Sequence, residues 1–170
     1  SLYVHLPFCQ SLCYYCGCMK KVTRHHHQAD QYLELLYKEI ALQGELFDHD
    51  REVVQLHFGG GTPTFHDDEK LKKLMSVLGE HFALSTADSR EFSIEVDPRT
   101  VGSERLAHLA SMGFNRISLG VQDIDPKVQE AVNRIQDKEA TLEMVEASRA
   151  LGFNSVSIDL IYGLPLQTVE

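Results

Sequence analysis

The sequence predicts an α/β protein built as an open parallel barrel of about five βα units. Five short strand patterns alternate with helical patterns, and polar and apolar residues alternate within the strands. A weak internal repeat adds to this, because residues 113–118 (Gly-Phe-Asn-Arg-Ile-Ser) recur as residues 152–157 (Gly-Phe-Asn-Ser-Val-Ser). Each copy is expected to end a helix and begin a strand. Strands that alternate with helices imply right-handed βαβ crossovers and a parallel sheet.

The predicted elements follow from periodicity and from end signals. The two clearest helices cover residues 31–47 and 67–82, where apolar residues recur at helical spacing. Gly113 and Gly152 are typical of helix C-termini, and Asp125-Pro126 is typical of a helix start. The predicted strands are residues 2–7, 53–58, 92–97, 116–122 and 156–162.

The strands predict a sheet with one polar face. In the third strand Phe92 and Ile94 alternate with Ser93 and Glu95, and the first, fourth and fifth strands alternate in the same way. Buried parallel strands usually read as continuous apolar runs instead. We therefore expect one face to pack on helices and the other to line a roomy, ligand-binding interior, unlike the packed centre of ordinary eight-fold barrels.

Composition limits the possible classes of protein. The 170 residues are 43% hydrophobic and 24% charged, which predicts a folded core of one domain. No run of 18 apolar residues and no signal peptide is present, so we expect no membrane span and a cytoplasmic location. The net charge of −9 argues against nucleic acid as a partner. The chain does not begin with Met, and we expect residues 1–170 to be a fragment of a longer barrel protein.

Four cysteines lie within ten residues and point to a metal site. Disulfides between residues this close would close only very short loops and stabilise little, so a reduced metal-binding loop is the better interpretation. Three thiolates at Cys9-x3-Cys13-x2-Cys16 suit a 4Fe–4S cluster that keeps one iron without a protein ligand. Because residues 25–27 are histidines, a zinc site is the alternative.

A second set of residues is expected at the carboxyl ends of the strands, where such barrels carry their chemistry. Residues 59–63 (Gly-Gly-Gly-Thr-Pro) end the second strand and would let a ligand approach the backbone closely. Glu95, Gln122 and Asp159 end the next three strands on the polar face, and Arg134 could reach the same rim.

A small basic cluster follows the cysteines. It consists of Lys20, Lys21 and Arg24. The cluster is either a solvated approach to the next helix or a site for carboxylates, and the sequence does not separate the two.

The motifs together resemble a known family. The cysteine motif with Tyr15 before its last cysteine is similar to the radical SAM (S-adenosylmethionine) signature. Residues 2–9 (Leu-Tyr-Val-His-Leu-Pro-Phe-Cys), the glycine segment, residues 95–99 (Glu-Val-Asp-Pro-Arg) and residues 162–165 (Tyr-Gly-Leu-Pro) narrow the resemblance. Along essentially all 170 residues the chain resembles the oxygen-independent coproporphyrinogen III dehydrogenases.

The resemblance implies a fold and a reaction. The fold would be a partial (β/α)6 radical SAM barrel whose sixth unit, N-terminal extension and C-terminal domain lie outside this chain. The cofactors would be a 4Fe–4S cluster and SAM, of which the family can hold two molecules. The reaction would convert two propionates of coproporphyrinogen III to vinyl groups, which gives protoporphyrinogen IX in anaerobic haem synthesis. The cofactors would supply the chemistry, and the protein would position the reactants.

The resemblance also implies roles for residues and partners. Cys9, Cys13 and Cys16 would hold the cluster, and Tyr3 is a catalytic candidate close to the radical chemistry. A reduced flavodoxin- or ferredoxin-type protein would donate electrons, and the full-length protein is expected to be a monomer. The residues that match the family's contacts to SAM are Tyr3, Tyr15, Gly60, Gly61, Thr62, Glu95, Gln122, Arg134 and Asp159.

Two other functions remain open from the sequence. Radical SAM haem chaperones share the barrel, the cluster motif and the glycine segment, but they generally lack the cysteine that stands here at Cys18. Such a protein would bind and deliver haem rather than act as an enzyme. A ferredoxin-like electron carrier is a more distant alternative, because it would not need polar residues at the rim of the barrel.

Overall fold

A computed structural model describes residues 1–168 of the chain. In these residues helices and strands alternate along most of the sequence. The strands are β1 (Leu2–Leu6), β2 (Phe8–Cys9), β3 (Lys21–Val22), β4 (Gln55–Gly60), β5 (Glu91–Val96), β6 (Arg116–Gln122) and β7 (Ser155–Leu160). The helices are α1 (His26–Gly44), α2 (Asp68–His81), α3 (Ser103–Ser111), α4 (Pro126–Ala131) and α5 (Lys138–Ala150), with a short 3-10 turn at Pro63–Phe65.

Five of the strands form one parallel sheet in the order β1-β4-β5-β6-β7. The other two, β2 and β3, pair with each other beside it. Within this sheet each strand pairs with the strand that follows it in sequence among the five. Because all pairs are parallel, the carboxyl ends of the strands all lie at one edge. Within the described residues β1 and β7 are the two free edges, and the barrel is not closed. The prediction of about five βα units in an open parallel barrel is confirmed.

The two faces of the sheet differ as the alternation predicts. In β5 the residues Phe92, Ile94 and Val96 are buried, whereas Ser93 and Glu95 between them are only half-buried. Strand β6 repeats this pattern. The buried residues form one core cluster with apolar side chains of α1, α2, α3 and α5, which cover this face. The opposite face keeps its polar side chains accessible to a ligand.

Helix boundaries differ modestly from the predicted ones. Helix α2 begins and ends one residue inside the predicted range, and Asp67 caps it by accepting a hydrogen bond from the backbone N–H of Lys70 at 2.9 Å. Helix α1 begins at His26, five residues before the predicted start. The ring of His26 stacks on Phe65 at 4.6 Å between centroids, so this part of the histidine run packs against the 3-10 turn.

The internal repeat marks two equivalent helix ends. Gly113 follows α3 with φ of 101°, and Gly152 follows α5 with φ of 85°. Side chains are strained in this left-handed region, which explains why glycine stands at both positions. The predicted C-terminal caps are confirmed.

Strand β7 departs from the predicted pattern. Val156, Ile158 and Leu160 were expected to pack on helices, yet Ile158 is 44% exposed and Leu160 is 67% exposed. Strand β7 has a neighbour on one side only among the described residues, so its apolar face lacks cover there. The loop predicted for residues 164–170 contains no helix or strand as far as Thr168. Residues 169 and 170 lie outside the described residues.

The histidine that follows the glycine segment is buried without a hydrogen bond. His66 is 1% exposed, and neither of its ring nitrogens has a partner in the described part of the chain. It packs edge-on against Phe8 and Phe65. Burial, aided by the charge of Lys70, lowers its pKa from 6.5 to about 4.

This burial predicts that acid destabilises the fold. Between pH 6.5 and about 4 the unfolded chain binds a proton at His66 that the folded chain does not, so stability falls as pH falls. The free energy of unfolding should drop by about 2 kcal/mol from pH 7 to pH 5 on account of this group. His66→Leu should remove that part of the pH dependence in urea titrations. The control His49→Leu, in an exposed position, should keep it. An equal pH dependence in wild type and His66→Leu would contradict the assignment.

Candidate functional site

The cysteines lie on a loop that leaves β1 and is closed at its base. The backbone N–H of Lys21 donates to the carbonyl of Pro7 at 2.7 Å, and that of Thr23 donates to the carbonyl of Cys9 at 3.0 Å. These bonds, with the β2–β3 pairing, join the two ends of the loop. The loop therefore projects from the carboxyl end of β1 as a fixed unit.

The far side of the loop is held by the segment after α4. The backbone N–H of Tyr14 donates to the carbonyl of Val132 at 3.0 Å, and the side-chain amide of Asn133 donates to the carbonyl of Leu12 at 2.7 Å. Lys20 Nζ donates to the carbonyl of Cys16 at 2.6 Å. Hydrogen bonds thus fix the loop within itself and against the fourth βα unit.

All four cysteines are free thiols with different exposure. Cys13 is buried, Cys9 and Cys16 are half-buried, and Cys18 is exposed. Burial raises the pKa of the Cys9 thiol, although a hydrogen bond from Thr62 Oγ1 to its sulfur at 3.6 Å acts in the opposite direction. Electrostatic interaction with the nearby Cys16, Cys13 and Asp97 raises the pKa of Cys9 further.

The glycine segment brings β4 against this loop. The backbone N–H of Gly61 donates to the carbonyl of Leu6 at 2.9 Å, and that of Thr62 donates to the carbonyl of Phe8 at 2.8 Å. A Cβ on Gly61 would lie 2.7 Å from the carbonyl carbon of Pro7. The close approach of two backbones explains the glycine at this position.

The loop, the glycine segment and the strand ends surround one cavity of about 880 Å³. Eleven of the twelve predicted site residues line it, and they come from the loop, all the later strand ends and the segment after α4. They are Cys9, Cys13, Tyr15, Cys16, Gly60, Gly61, Thr62, Glu95, Gln122, Arg134 and Asp159.

Tyr3 is the predicted site residue that does not line this cavity. Its ring stacks on His57 at 5.6 Å between centroids, and its hydroxyl lies 3.1 Å from Nδ1 of His5. Burial raises the pKa of Tyr3, and the charges of Glu95 and Cys18 add to this effect. Tyr3 therefore lies on the polar face of the sheet beside His57, which contacts Glu95, and it lines a second cavity of about 380 Å³ instead.

The carboxylate of Glu95 is held in place from two directions. Its Oε2 accepts from the backbone N–H of Gly60 at 3.1 Å, and its Oε1 lies 3.2 Å from Nε2 of His57. His57 Nδ1 in turn lies 2.6 Å from the hydroxyl of Ser93. Asp159 is oriented more simply, because Ser118 Oγ donates to its Oδ1 at 2.8 Å. Both carboxylates retain accepting capacity toward the cavity.

An ion-pair network lies beside Cys13. The carboxylate of Asp97 is buried and accepts from Nη2 of Arg99 at 2.7 Å and from Nη1 of Arg134 at 3.2 Å. The pKa of Asp97 is lowered, because hydrogen bonds and charge from the two arginines outweigh the opposing effect of burial. The sequence analysis did not assign Asp97 or Arg99 to the site, although an acid-Pro-Arg sequence directly after a strand end was a usable signal.

The donor set does not form a site for a single ion. Among residues 1–168 no three His, Cys, Asp or Glu side chains converge on one ion-sized position. In a 4Fe–4S cluster each cysteine binds a different iron, so its thiolates need to surround the cluster rather than meet at a point. Three free thiols on one cavity wall fit that requirement.

The close approach at Gly61 predicts a specific loss of stability. Gly61→Ala should lower the free energy of unfolding by about 1–3 kcal/mol, because the new methyl group meets the backbone of residues 7 and 8. The control Gly17→Ala adds the same methyl group where nothing lies within 4 Å and should change stability little. Urea unfolding of both variants gives the comparison. Equal stability of the two variants would show that the β1–β4 contact can relax.

The chain is similar in sequence to curated proteins that share one name. Over all 170 residues the chain is 53% identical to the oxygen-independent coproporphyrinogen III oxidase of Salmonella typhimurium and 49% identical to that of Pseudomonas aeruginosa. It covers 36% and 37% of their lengths, so it spans about a third of these curated relatives. The predicted resemblance is confirmed.

Solved structures agree with the sequence relationships. The structure of coproporphyrinogen III oxidase from Escherichia coli, described as a radical SAM enzyme, matches 99% of this chain and 38% of that chain with a TM-score of 0.94 and 52% identity. The radical SAM methyltransferase TsrM from Kitasatospora setae matches 98% of this chain and 32% of that chain with a TM-score of 0.61 at 14% identity, which shows a shared fold alone. Residues 3–170 match the sequence model of the radical SAM superfamily. The chain belongs to the radical SAM superfamily.

Proposed function

We propose that this chain forms the cofactor-binding part of an enzyme that converts coproporphyrinogen III to protoporphyrinogen IX in anaerobic haem biosynthesis. The reaction is the oxidative decarboxylation of two propionate side chains to vinyl groups. The observation that best supports this proposal is the cavity, which is lined by eleven of the twelve predicted site residues. The chain is also 53% identical to an oxygen-independent coproporphyrinogen III oxidase.

The residues of the cavity fit the cofactors of the superfamily, a 4Fe–4S cluster and SAM. Cys9, Cys13 and Cys16 would hold the cluster by three irons and leave the fourth for SAM. When bound, these cofactors supply a strongly oxidising carbon radical that can remove a hydrogen atom from a propionate. The protein has to supply binding, orientation and exclusion of water.

Glu95 and Asp159 are suited to accept hydrogen bonds from ribose hydroxyls. Glu95 is already fixed by Gly60 and His57, and Asp159 by Ser118, so neither carboxylate needs to reorganise on binding. Gln122 and Tyr15 line the same cavity and complete the polar and aromatic surroundings of the proposed SAM site. Gly60 and Gly61 line the cavity without side chains, so a ligand can approach closely there, although their N–H groups already donate within the protein.

Arg134 is proposed to face the methionine carboxylate of SAM. Its guanidinium already donates to Asp97, to the carbonyl of Gly120 at 2.5 Å and to the sulfur of Cys13 at 3.5 Å. Its Nε is buried and has no acceptor in the described part of the chain. The side chain is thus held in place before a ligand arrives.

Basic side chains in the wall of the cavity suit an acidic substrate. Its volume lies at the upper end of the range for small-molecule sites. Lys20 and Arg24 both line it, which favours the carboxylate-binding interpretation of the basic cluster. Lys20 also braces the loop through Cys16, so Arg24 is the residue we propose to face a substrate carboxylate.

The wider setting is proposed from the resemblance. A reduced flavodoxin- or ferredoxin-type donor, a cytoplasmic location and a monomeric full-length protein are consistent with it. No helix in the described residues is long and apolar enough to cross a membrane. We also propose that a sixth barrel unit covers β7, whose exposed Ile158 and Leu160 would then be buried, and that N- and C-terminal segments complete the enzyme.

The activity is tested on the full-length protein under anaerobic conditions. Given SAM and an electron donor, it should convert coproporphyrinogen III to a product with two vinyl groups and release 5′-deoxyadenosine. The haem chaperone alternative expects tight stoichiometric haem binding and neither product. The relatives compared above are oxidases and do not favour it. Haem binding without vinyl product or 5′-deoxyadenosine would overturn the proposal.

The cluster assignment gives a separate prediction. Alanine at Cys9, Cys13 or Cys16 should abolish iron and sulfide retention after anaerobic reconstitution, because each change removes one of three proposed ligands. Cys18→Ala is the matched control and should keep the cluster, since Cys18 is exposed. Iron and sulfide analysis and visible absorbance measure the outcome. A loss of iron in Cys18→Ala as complete as in Cys13→Ala would refute the three-ligand assignment.

A further inference from the structure

Buried Asp97 and Arg134 and half-buried Arg99 form a network around one cysteine, which we call the arginine clamp. Nη1 of Arg134 donates to the sulfur of Cys13 at 3.5 Å, and Nη2 of Arg99 donates to the same sulfur at 4.0 Å. Asp97 lies between the two arginines and accepts from both. Of the cysteines proposed as ligands, Cys13 is also the most buried.

The fold places these three residues with little freedom. Asp97 directly follows β5, and its Oδ1 accepts from the backbone N–H of Arg99 at 3.1 Å, which closes a tight turn. The carbonyl of Asp97 accepts from the backbone N–H of Thr100 at 3.0 Å. Arg99 then reaches back to the carboxylate with Nε at 3.0 Å and Nη2 at 2.7 Å. This two-point contact fixes the plane of the guanidinium.

Arg134 reaches the same point from a different unit of the fold. It follows Asn133, whose φ of 54° turns the chain sharply after α4. Its Nη2 donates to the carbonyl of Gly120 in β6, and a Cβ at Gly120 would lie 3.0 Å from that nitrogen. Arg134 and Asp97 are both 7% exposed. Water therefore screens their charges poorly.

The charges of the clamp do not cancel. Two guanidinium groups and one carboxylate leave one net positive charge beside the Cys13 sulfur. A guanidinium group is not deprotonated in proteins, so both arginines keep their charge at any working pH. Reduction of an iron–sulfur cluster adds one negative charge, and positive charge and N–H donors near its sulfurs favour the reduced form.

We propose that the arginine clamp is a positioning device that orients Cys13 and raises the reduction potential of the cluster bound there. This inference rests on the cluster of the proposed function. In the step concerned, one electron passes from a reduced donor protein, or from dithionite in the test, to the cluster, and no bond is formed or broken. Arg99 acts here through Cys13 and needs no contact with SAM or substrate.

The test compares two substitutions that change charge in opposite directions. Arg99→Gln removes a positive charge and should lower the midpoint potential of the reconstituted full-length protein. Asp97→Asn removes the negative charge at nearly constant shape and should raise it. We expect about a tenfold change in the ratio of reduced to oxidised cluster in each direction, which is about 59 mV for one electron. Redox titration followed by electron paramagnetic resonance measures the potential.

Two further variants separate this role from a merely structural one. Arg99→Lys keeps the charge and should return the potential most of the way to wild type, even though the fork geometry is lost. Arg116→Gln is the matched control, because it removes an arginine ion-paired to Glu91 at 2.9 Å at the opposite end of the strands. It should leave the potential unchanged. Iron and sulfide content is measured for every variant so that potentials refer to loaded protein.

The outcomes distinguish this inference from the proposed function. If wild type forms no cluster, the proposed function fails first. If wild type is loaded but Arg99→Gln and Asp97→Asn shift the potential in the same direction, or not at all, the clamp does not set the potential. If Arg99→Gln retains no iron, the midpoint potentials of Asp97→Asn and Arg99→Lys are compared instead. The inference expects the higher potential in Asp97→Asn. A potential of Asp97→Asn at or below that of Arg99→Lys overturns it.

Discussion

The parallel pairing of β1 with β4 is the constraint on which the site depends. It sets Leu6 opposite Gly60, so the chain that leaves β1 for the cysteine loop runs beside the chain that leaves β4 through the glycine segment. Two backbone hydrogen bonds and the missing side chain of Gly61 then hold these exits together. Residues more than 50 positions apart meet because both follow the carboxyl ends of adjacent parallel strands. The later strands extend this arrangement, because the carboxyl end of each strand lies at the same edge of the sheet.

The alternation of apolar and polar residues along the strands supplies side chains to both the core and the cavity. On β5 and β6, Ile94 and Leu119 are fully buried beneath the helices, while Glu95 on the other face reaches the cavity wall. A shift of one residue in register would exchange the two sets. The apolar contacts therefore fix not only the stability of the sheet but also which side chains the ligand meets. On the polar face, half-buried Glu95 and exposed Asp159 each accept a hydrogen bond from a neighbouring donor.

Much of this could be predicted from the sequence, and the failures have physical causes. Strand order, the polar face and most of the cavity wall follow from local patterns, because hydrophobic alternation and parallel order leave few arrangements. The start of α1 was missed because His26 packs through ring stacking, which periodicity does not detect. Tyr3 was assigned by resemblance and lies beside His57 rather than in the wall of the cavity, so its role stays a prediction. The acid-Pro-Arg sequence marks Arg99 as a residue near a strand end, but its contact with Cys13, 86 residues earlier, could not be read from any local pattern.

The charge of the chain illustrates the difference between overall and local electrostatics. A net charge of −9 would disfavour anionic ligands if it acted as a whole, yet exposed charges separated by more than a Debye length, about 8 Å at physiological salt, are largely screened. The two guanidinium groups beside Cys13 lie within 4 Å of its sulfur and are at least partly shielded from water, so their effect on a thiolate is much less screened. A chain with an acidic surface can thus favour negative charge at one point in its interior. Overall composition therefore says little about the charge that a ligand meets, which is set locally by the groups that line its site.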